Sequence, residues 1–528
     1  MKNKLLASCL VFGLFLCQPI IPATAAIKAG TTCKEAGSTK VVSGKNLICN
    51  KQGKKLIWSV NKSIPRSSKT QDLQSVQSKG TNVVDVTSDP NGKICLLSGI
   101  IVQFKDKTFA CRGSNSKKTW VEVEISDAQD TLKMPINGNL EFFSWWTVGR
   151  EAKGLQSITQ LFVRENPNAK FVNSANSASP GLNTKGALVS RLQAGNPPDS
   201  FQAHAGSELS SYIQAELLED LTFLYKREGW DKLFPSDLIK TITVKGKIYS
   251  VPVTVYRTNL IWWNPVTAKK AGITYPPETI DELIADLEKF KSIGITGIAL
   301  SGEGDWAIAQ LFDAVLLGSL GAEKYEGLFS GSTSWKGAEV ASAIENFQRI
   351  LSYGNSSKTL TWPQASQLVV SGQAGYVVMG DWVSPQWQDF GFEPGVDFAW
   401  APSPGTNGIF QWAAESFTLP KGAKNRDAGI AWLTILGSLE AQYAYNLEQG
   451  LTPVRTDFDS INYDAYQKSA MADWKSQRLV GSTIHGVNYG SAGMAAFNSV
   501  VGKYYQDGAK DNSGLAQGLY TAFRKNKS

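Results

Sequence analysis

The spacing of apolar and polar positions changes along the chain, and those changes mark its elements. Residues 140–143 form a short apolar run of strand-type residues, whereas Leu155, Ile158, Leu161 and Phe162 fall on one face of a helix. Trp145 and Trp146 stand where the strand gives way to the helix. Further on, 169–172 reads as a second strand. Residues 281–290 read as a helix with Thr279 as its N-cap, 298–300 as a strand and 308–320 as an apolar helix. Residues 375–379 read as a buried strand ending at Gly380-Asp381-Trp382, and 250–259 as an apolar strand running into polar residues. Alternation of this kind predicts an α/β fold rather than an all-β one. The 390 residues of 139–528 exceed what one core organises, so two lobes are expected.

In open α/β sheets, ligands bind at the turn that follows a strand's carboxyl end. Two indoles in such a turn suit a ligand with an apolar face, such as a sugar ring, because Trp offers a flat surface and an N–H donor. The plainer alternative is that they close the core. The chain's sixteen Trp residues add weak support, since core filling uses the same residue.

Composition places the chain among folded proteins, with 42% apolar and 19% charged residues. The first 25 residues read as a secretory signal, with Lys2 and Lys4, an apolar stretch to Cys17 and Ala23-Thr24-Ala25 as the cleavage site. Leu6-Ala7-Ser8-Cys9 resembles a lipoprotein box but lies too early in the apolar stretch. No later segment has eighteen consecutive apolar residues, so the mature chain is not expected to span a membrane, and an extracytoplasmic location follows. Charge is uneven. Residues 26–136 carry 18 basic and 9 acidic side chains, whereas 137–528 carry 33 and 37. The basic N-terminal part could meet an anionic cell wall, or it could simply be soluble.

That part contains a two-copy repeat. Cys33 and Cys49 are sixteen residues apart, as are Cys95 and Cys111; Trp58 and Trp120 each follow the second Cys by nine. Two small β-hairpin modules are expected, 26–60 and 88–125, each closed by a local disulfide (Cys33–Cys49 and Cys95–Cys111). Three pairings are formally possible, and the repeat favours the local one. A four-Cys zinc site is the alternative, but the CxxC spacing of such sites is absent, so no metal is expected. Stretches 61–87 and 126–138 read as linkers, leaving 139–528 as the main body.

The polar outliers of the main body cluster around turns: Gln202 and His204 after a Pro-Pro turn, Asp381 after a strand, Glu415 ahead of Pro420, and His485 in a Gly-rich loop. The chain has only two His. Here the residues resemble a known family. The motifs Phe143-Ser-Trp-Trp146, Pro197-Pro-Asp-Ser-Phe-Gln-Ala-His-Ala-Gly206, Ser250-Val-Pro-Val253, Arg257-Thr-Asn259, Val378-Met-Gly-Asp-Trp382, Phe398-Ala-Trp-Ala-Pro-Ser-Pro-Gly-Thr406, Leu419-Pro-Lys-Gly-Ala-Lys-Asn425 and Val480-Gly-Ser-Thr-Ile-His-Gly486 are similar to those of the solute-binding proteins of ABC sugar importers, most of all the glucose/galactose-binding members. The resemblance implies a two-lobed periplasmic-binding-protein fold (type II) with the ligand between the lobes. It implies a monomer without cofactor that delivers a monosaccharide to permease subunits at the membrane. It also implies that Trp145 and Trp146 stack on the sugar and that Glu151, Gln202, His204, Asp381 and His485 bond its hydroxyls, with Trp306 nearby. Glu415 stands where the family usually has Asp, and Tyr256 where a His is common.

Two other classes share parts of this pattern. A glycoside hydrolase needs a pair of carboxylates, which Glu151, Asp381 and Glu415 could supply; a surface lectin would keep a rigid cleft. No P-loop, Gly-x-Ser-x-Gly or His-Glu-x-x-His motif is present, and nothing points to nucleic acid.

Overall fold

The structure is a computed structural model. It describes residue 32, the strand residues 39–42, 45–52, 55–60, 83–85, 101–104, 107–112 and 119–123, and then 138–147, 149–174 and 182–526. The expected signal segment and the side chains of all four module cysteines lie outside the described residues, and with them the two disulfides.

The chain divides into two compact units, 1–81 and 82–528. The first holds a three-stranded antiparallel sheet, 39–42, 45–52 and 55–60. The second opens with a four-stranded sheet, 83–85, 101–104, 107–112 and 119–123. The repeat is visible in the backbone: Cys49 pairs across the ladder with Trp58, and Cys111 with Trp120. The strand 83–85 falls inside the stretch read as a linker and pairs in parallel with 101–104.

Among the described residues the main body has two large sheets and a small two-stranded hairpin, 243–244 with 247–248. The larger contains β1 (Gly138–Phe143), β2 (Ala169–Asn173), β3 (Ser200–His204), β4 (Ser250–Arg257), β9 (Ile409–Thr418), β10 (Thr452–Pro453) and β11 (Arg478–Gly481). Its order is β10-β4-β9-β3-β1-β2, with β11 beside β9. The smaller contains β5 (Leu260–Trp263), β6 (Thr296–Ile298), β7 (Ala374–Val378) and β8 (Ala399–Pro402), in the order β6-β7-β5-β8. Both mix parallel and antiparallel pairs. Every residue of β9 is buried, as is every residue of β4 except Tyr256. Helices cover both faces of such strands, so they read as continuous rather than alternating apolar runs.

Two large apolar clusters form the core, the first reaching from the larger sheet onto Trp262 and Val377 of the smaller. One gathers Phe142, Trp146, Val253, Phe417 and Trp432; the other gathers Ile261, Leu287, Phe312, Tyr376 and Phe347. The chain crosses between the sheets at 258–259, where β4 runs into β5, and again at 403–408, where β8 runs into β9. A third crossing, 482–490, leaves β11 for the helix 491–506, whose Phe497 meets Phe312 at a ring distance of 5.9 Å.

Local signals explain the helices. In α1 (Gly149–Glu165), Leu155, Ile158 and Phe162 form the buried face. At α2 (Ile280–Ser292), Thr279 Oγ1 accepts from Glu282 N at 3.2 Å, and Glu282 Oε2 accepts from Thr279 N at 3.0 Å, a reciprocal cap. The long helix α3 (Trp306–Ser330) breaks at Gly321, whose φ of 72° no helix tolerates, so its first half ends where the apolar run ends. Among the described residues, no helix is long and apolar enough to cross a membrane.

Candidate functional site between the two sheets

Strand alternation builds the site's polar floor. Gln202 and His204 are two residues apart on β3 and share a face, and Glu415 on β9 lies directly across from His204. Gln202 Nε2 donates to Glu415 Oε2 at 2.8 Å, and Ser144 Oγ donates to Gln202 Oε1 at 2.6 Å. His204 Nε2 is 3.5 Å from Glu415 Oε1, and its Nδ1 is 2.5 Å from Glu208 Oε2. Gln202, His204 and Glu415 therefore sit on strands, not in loops. Their stretch is buried on both faces and bounded by Pro198 and by Gly206 (φ 111°), which gives it the sequence signature of a turn.

Aromatic rings form the wall. Centroid distances run from Trp145 to His204 (5.8 Å), His204 to His485 (6.2 Å), His485 to Trp306 (6.1 Å) and His485 to Trp382 (5.3 Å). Trp382 in turn meets Trp306 (5.9 Å), Trp362 (6.4 Å) and Tyr256 (5.8 Å). Among the described residues eight other indoles are fully buried, whereas those of this wall are half-buried. The wall joins the two sheets: Trp145 and His204 come from the larger, Trp306, Trp362 and Trp382 from elements around the smaller, and His485 from the third crossing.

The tandem indoles part company. Trp145 joins the wall, but Trp146 is 1% exposed and stacks on Tyr445 at 4.3 Å with Phe417 at its edge. Successive side chains in an extended segment point to opposite faces, so only one of the pair can reach the site. The expectation of two stacking indoles is corrected to one.

Burial holds the proton on two of the site's carboxyl groups. Burial, and then the charge of Glu415, raise Glu151 to about 8. Burial raises Asp381 to about 7, against the backbone N–H of Arg257 and the Tyr466 hydroxyl, which favour its charged form. Tyr256 is raised well above the ordinary phenol value, first by burial and then by Glu415, Glu151 and Asp381, which places it among all three acids. Asp381 is fully buried: its Oδ2 accepts from Arg257 N and Tyr466 Oη, both at 3.0 Å, and its Oδ1 has no partner among the described residues. Trp382 Nε1 is also buried without one. Asp381 thus does two things, for it fastens the last residue of β4 while carrying an uncommitted oxygen.

Sequence reasoning passed over Gln310, Glu208 and Trp362. Gln310 Oε1 is 3.2 Å from His485 Nε2, and Glu208 holds His204. Gln310 carries one legible signal, a polar residue within the apolar run of 308–320. Among the described residues no His/Cys/Asp/Glu cluster could hold a metal ion.

Two lobes crossed by the chain three times, with half-buried indoles, two imidazoles and a polar strand floor brought together, have the build of a ligand-binding protein. The chain belongs to the bacterial extracellular solute-binding protein family, whose model matches residues 147–443. It is 32% identical over 390 residues to an uncharacterized ABC transporter extracellular-binding protein of Pyrococcus horikoshii, covering 73% of this chain and 87% of that one. A probable sugar-binding periplasmic protein of Mesorhizobium japonicum is 31% identical over 373 residues, 69% of this chain and 88% of that one. Among solved structures, the bacterial solute receptor AcbH, described as preferring β-D-galactopyranose, superposes with a TM-score of 0.64 at 18% identity, over 74% of this chain and 99% of that one. The chain is a solute-binding protein, not an enzyme.

Proposed function

We propose that the protein captures a neutral monosaccharide of the glucose, galactose or mannose kind between its lobes and releases it, unaltered, to an ABC importer. The observation that carries the reading is the meeting, at one place, of a half-buried indole wall with two imidazoles and the acids Glu151 and Glu415. Sugar rings stack their C–H faces on indoles, and carboxyl and imidazole groups match vicinal hydroxyls. A neutral Glu151 donates a hydrogen bond where an ionised one only accepts. Glu415 is one carbon longer than the Asp usual in similar proteins, and Tyr256 replaces a His, so both tune the choice among epimers. The resemblance to a probable sugar-binding relative and to a galactose receptor fold supports the reading. A thermal-shift panel of monosaccharides and disaccharides tests it: stabilisation by a hexose is expected, and no shift with any sugar contradicts it. Small-angle scattering separates an importer module, which compacts around its sugar, from a rigid lectin, which does not.

The basic modules of 26–136 are read as exported, disulfide-closed and able to touch an anionic wall polymer. Co-sedimentation with teichoic acid that is lost on Lys54→Glu/Lys55→Glu/Lys117→Glu/Lys118→Glu substitution is the expected result. Alkylation mass spectrometry finding free thiols at Cys33, Cys49, Cys95 or Cys111 contradicts the disulfides.

A further inference from the structure

We propose that Gln310 is a positioning residue that fixes the tautomer of His485, so that this imidazole presents a bare Nδ1 lone pair to a hydroxyl group of the bound sugar. The sugar in this statement rests on the function proposed above; the tautomer does not.

The assignment follows from what each atom is able to do. Gln310 lies one turn into α3 and is 1% exposed. Its side-chain amide is held between two groups: Nε2 is 3.0 Å from the carbonyl oxygen of Thr258, and Oε1 is 3.2 Å from Nε2 of His485. A backbone carbonyl only accepts, so the NH2 end of the amide must face Thr258. The amide oxygen, which also only accepts, must then face His485. Nε2 of His485 therefore carries the hydrogen. A neutral imidazole has one N–H, which leaves Nδ1 as an acceptor. The ring is neutral, because burial and the nearby charge of His204 push its pKa down to about 3. Among the described residues, Nδ1 of His485 has no protein partner.

The relay is held at both ends. Thr258 belongs to the first crossing, where its N–H donates to Gln411 O at 2.9 Å. The loop of His485 is fastened to the same helix by Asp313, whose Oδ2 accepts from Thr483 N at 3.2 Å and Ser482 Oγ at 3.3 Å. Tyr325 Oη, bonded to Asp313 Oδ1 at 2.6 Å and Thr483 Oγ1 at 2.7 Å, closes the clamp. Trp306, Gln310 and Asp313 sit at i, i+4 and i+7, so one face of α3 supplies a wall ring, the tautomer lock and the loop anchor. His204 is set with the opposite polarity. The Glu208 carboxylate at its Nδ1 requires the hydrogen there. The hydrogens of the two imidazoles are thus fixed on different ring nitrogens, and His485 selects for a sugar that has a hydroxyl to donate.

Because the chain has only two His, imidazole 15N spectra of the full labelled protein read the tautomer directly, with His204→Gln identifying its signals by loss. In the ligand-free protein, His485 is expected to show a protonated Nε2 and a pyridine-like Nδ1. Gln310→Glu keeps an acceptor facing Nε2 and should keep that tautomer. Gln310→Leu removes it and should release the Nδ1–H form. A wild-type spectrum showing Nδ1–H, or a Gln310→Leu spectrum identical to wild type, overturns the proposal, whereas a mere fall in melting temperature does not mimic the expected result. D-glucose and D-galactose are then titrated by calorimetry and followed in the same spectra. Binding should shift the Nδ1 resonance, and Gln310→Leu should weaken it roughly tenfold, about 1.4 kcal/mol. Heat of binding without a shift at Nδ1 overturns the acceptor role. No heat with either sugar defeats the monosaccharide reading and leaves the tautomer to stand or fall on the ligand-free spectra.

Discussion

Glu151→Gln should flatten the loss of stability that the wild-type protein shows between pH 6.5 and 8. In the folded chain, burial and the charge of Glu415 hold the Glu151 carboxyl at about 8, against 4.5 for an exposed one. A carboxyl whose folded pKa is raised keeps its proton after the unfolded chain has lost it. Its stabilising contribution is full below pH 4.5 and is lost as pH rises through the folded value. Asp381, at about 7, acts in the same direction, and Asp313, at about 6, has largely finished by pH 6.5. His485 acts oppositely. Its lowered pKa of about 3 makes stability rise with pH up to and a little beyond the ordinary value of 6.5, a contribution common to both proteins that cancels in the comparison. One proton held by the folded state alone changes stability by about 1.36 kcal/mol per pH unit. Glu151 keeps nearly all of its proton at pH 6.5 and half of it at pH 8, which integrates to roughly 1.5 kcal/mol. Urea unfolding at the two pH values, with m unchanged, measures it. The wild type should lose about 1.5 kcal/mol more than Glu151→Gln on going from pH 6.5 to 8. Equal losses in the two proteins would refute the reasoning.

Two further changes probe the supports of the site. Asp313→Ala leaves the Gln411 amide, the Tyr325 hydroxyl and the Thr483 N–H without their acceptor, all buried. It should cost about 3 kcal/mol in chemical unfolding, and a cost below about 1 kcal/mol contradicts the role given to this hub. Gly486→Ala places a Cβ 3.0 Å from that of Glu208 at a φ of 72°. It should disturb the Glu208–His204 pair and weaken sugar binding several-fold by calorimetry, and an unchanged affinity speaks against that pair's part in the site.

Much of the architecture is legible in the sequence because it is locally encoded. The switch from strand to helix around Trp145, the cap at Thr279 and the end of the apolar helix at Gly321 all rest on neighbours in the chain. The strand at β3 was not legible as one. Buried on both faces, it lacks alternation, and the flanking Pro and Gly residues mimic a turn. Among the site residues, resemblance singled out Trp145, Gln202, His204 and Glu415, which the fold brings together. It also named Trp146, which strand geometry turns into the core. Gln310 and Glu208 escaped notice because they act through other residues, a role that only contacts between distant segments reveal.

The most direct measurement is isothermal titration of the best sugar from the panel into the wild-type protein and into Trp145→Ala. Trp145 is half-buried and touches the ring of His204, so its loss removes stacking surface without opening the core. One sugar per chain and an affinity at least tenfold weaker in Trp145→Ala, about 1.4 kcal/mol, is the expected result. Equal affinity in the two proteins would place the sugar elsewhere.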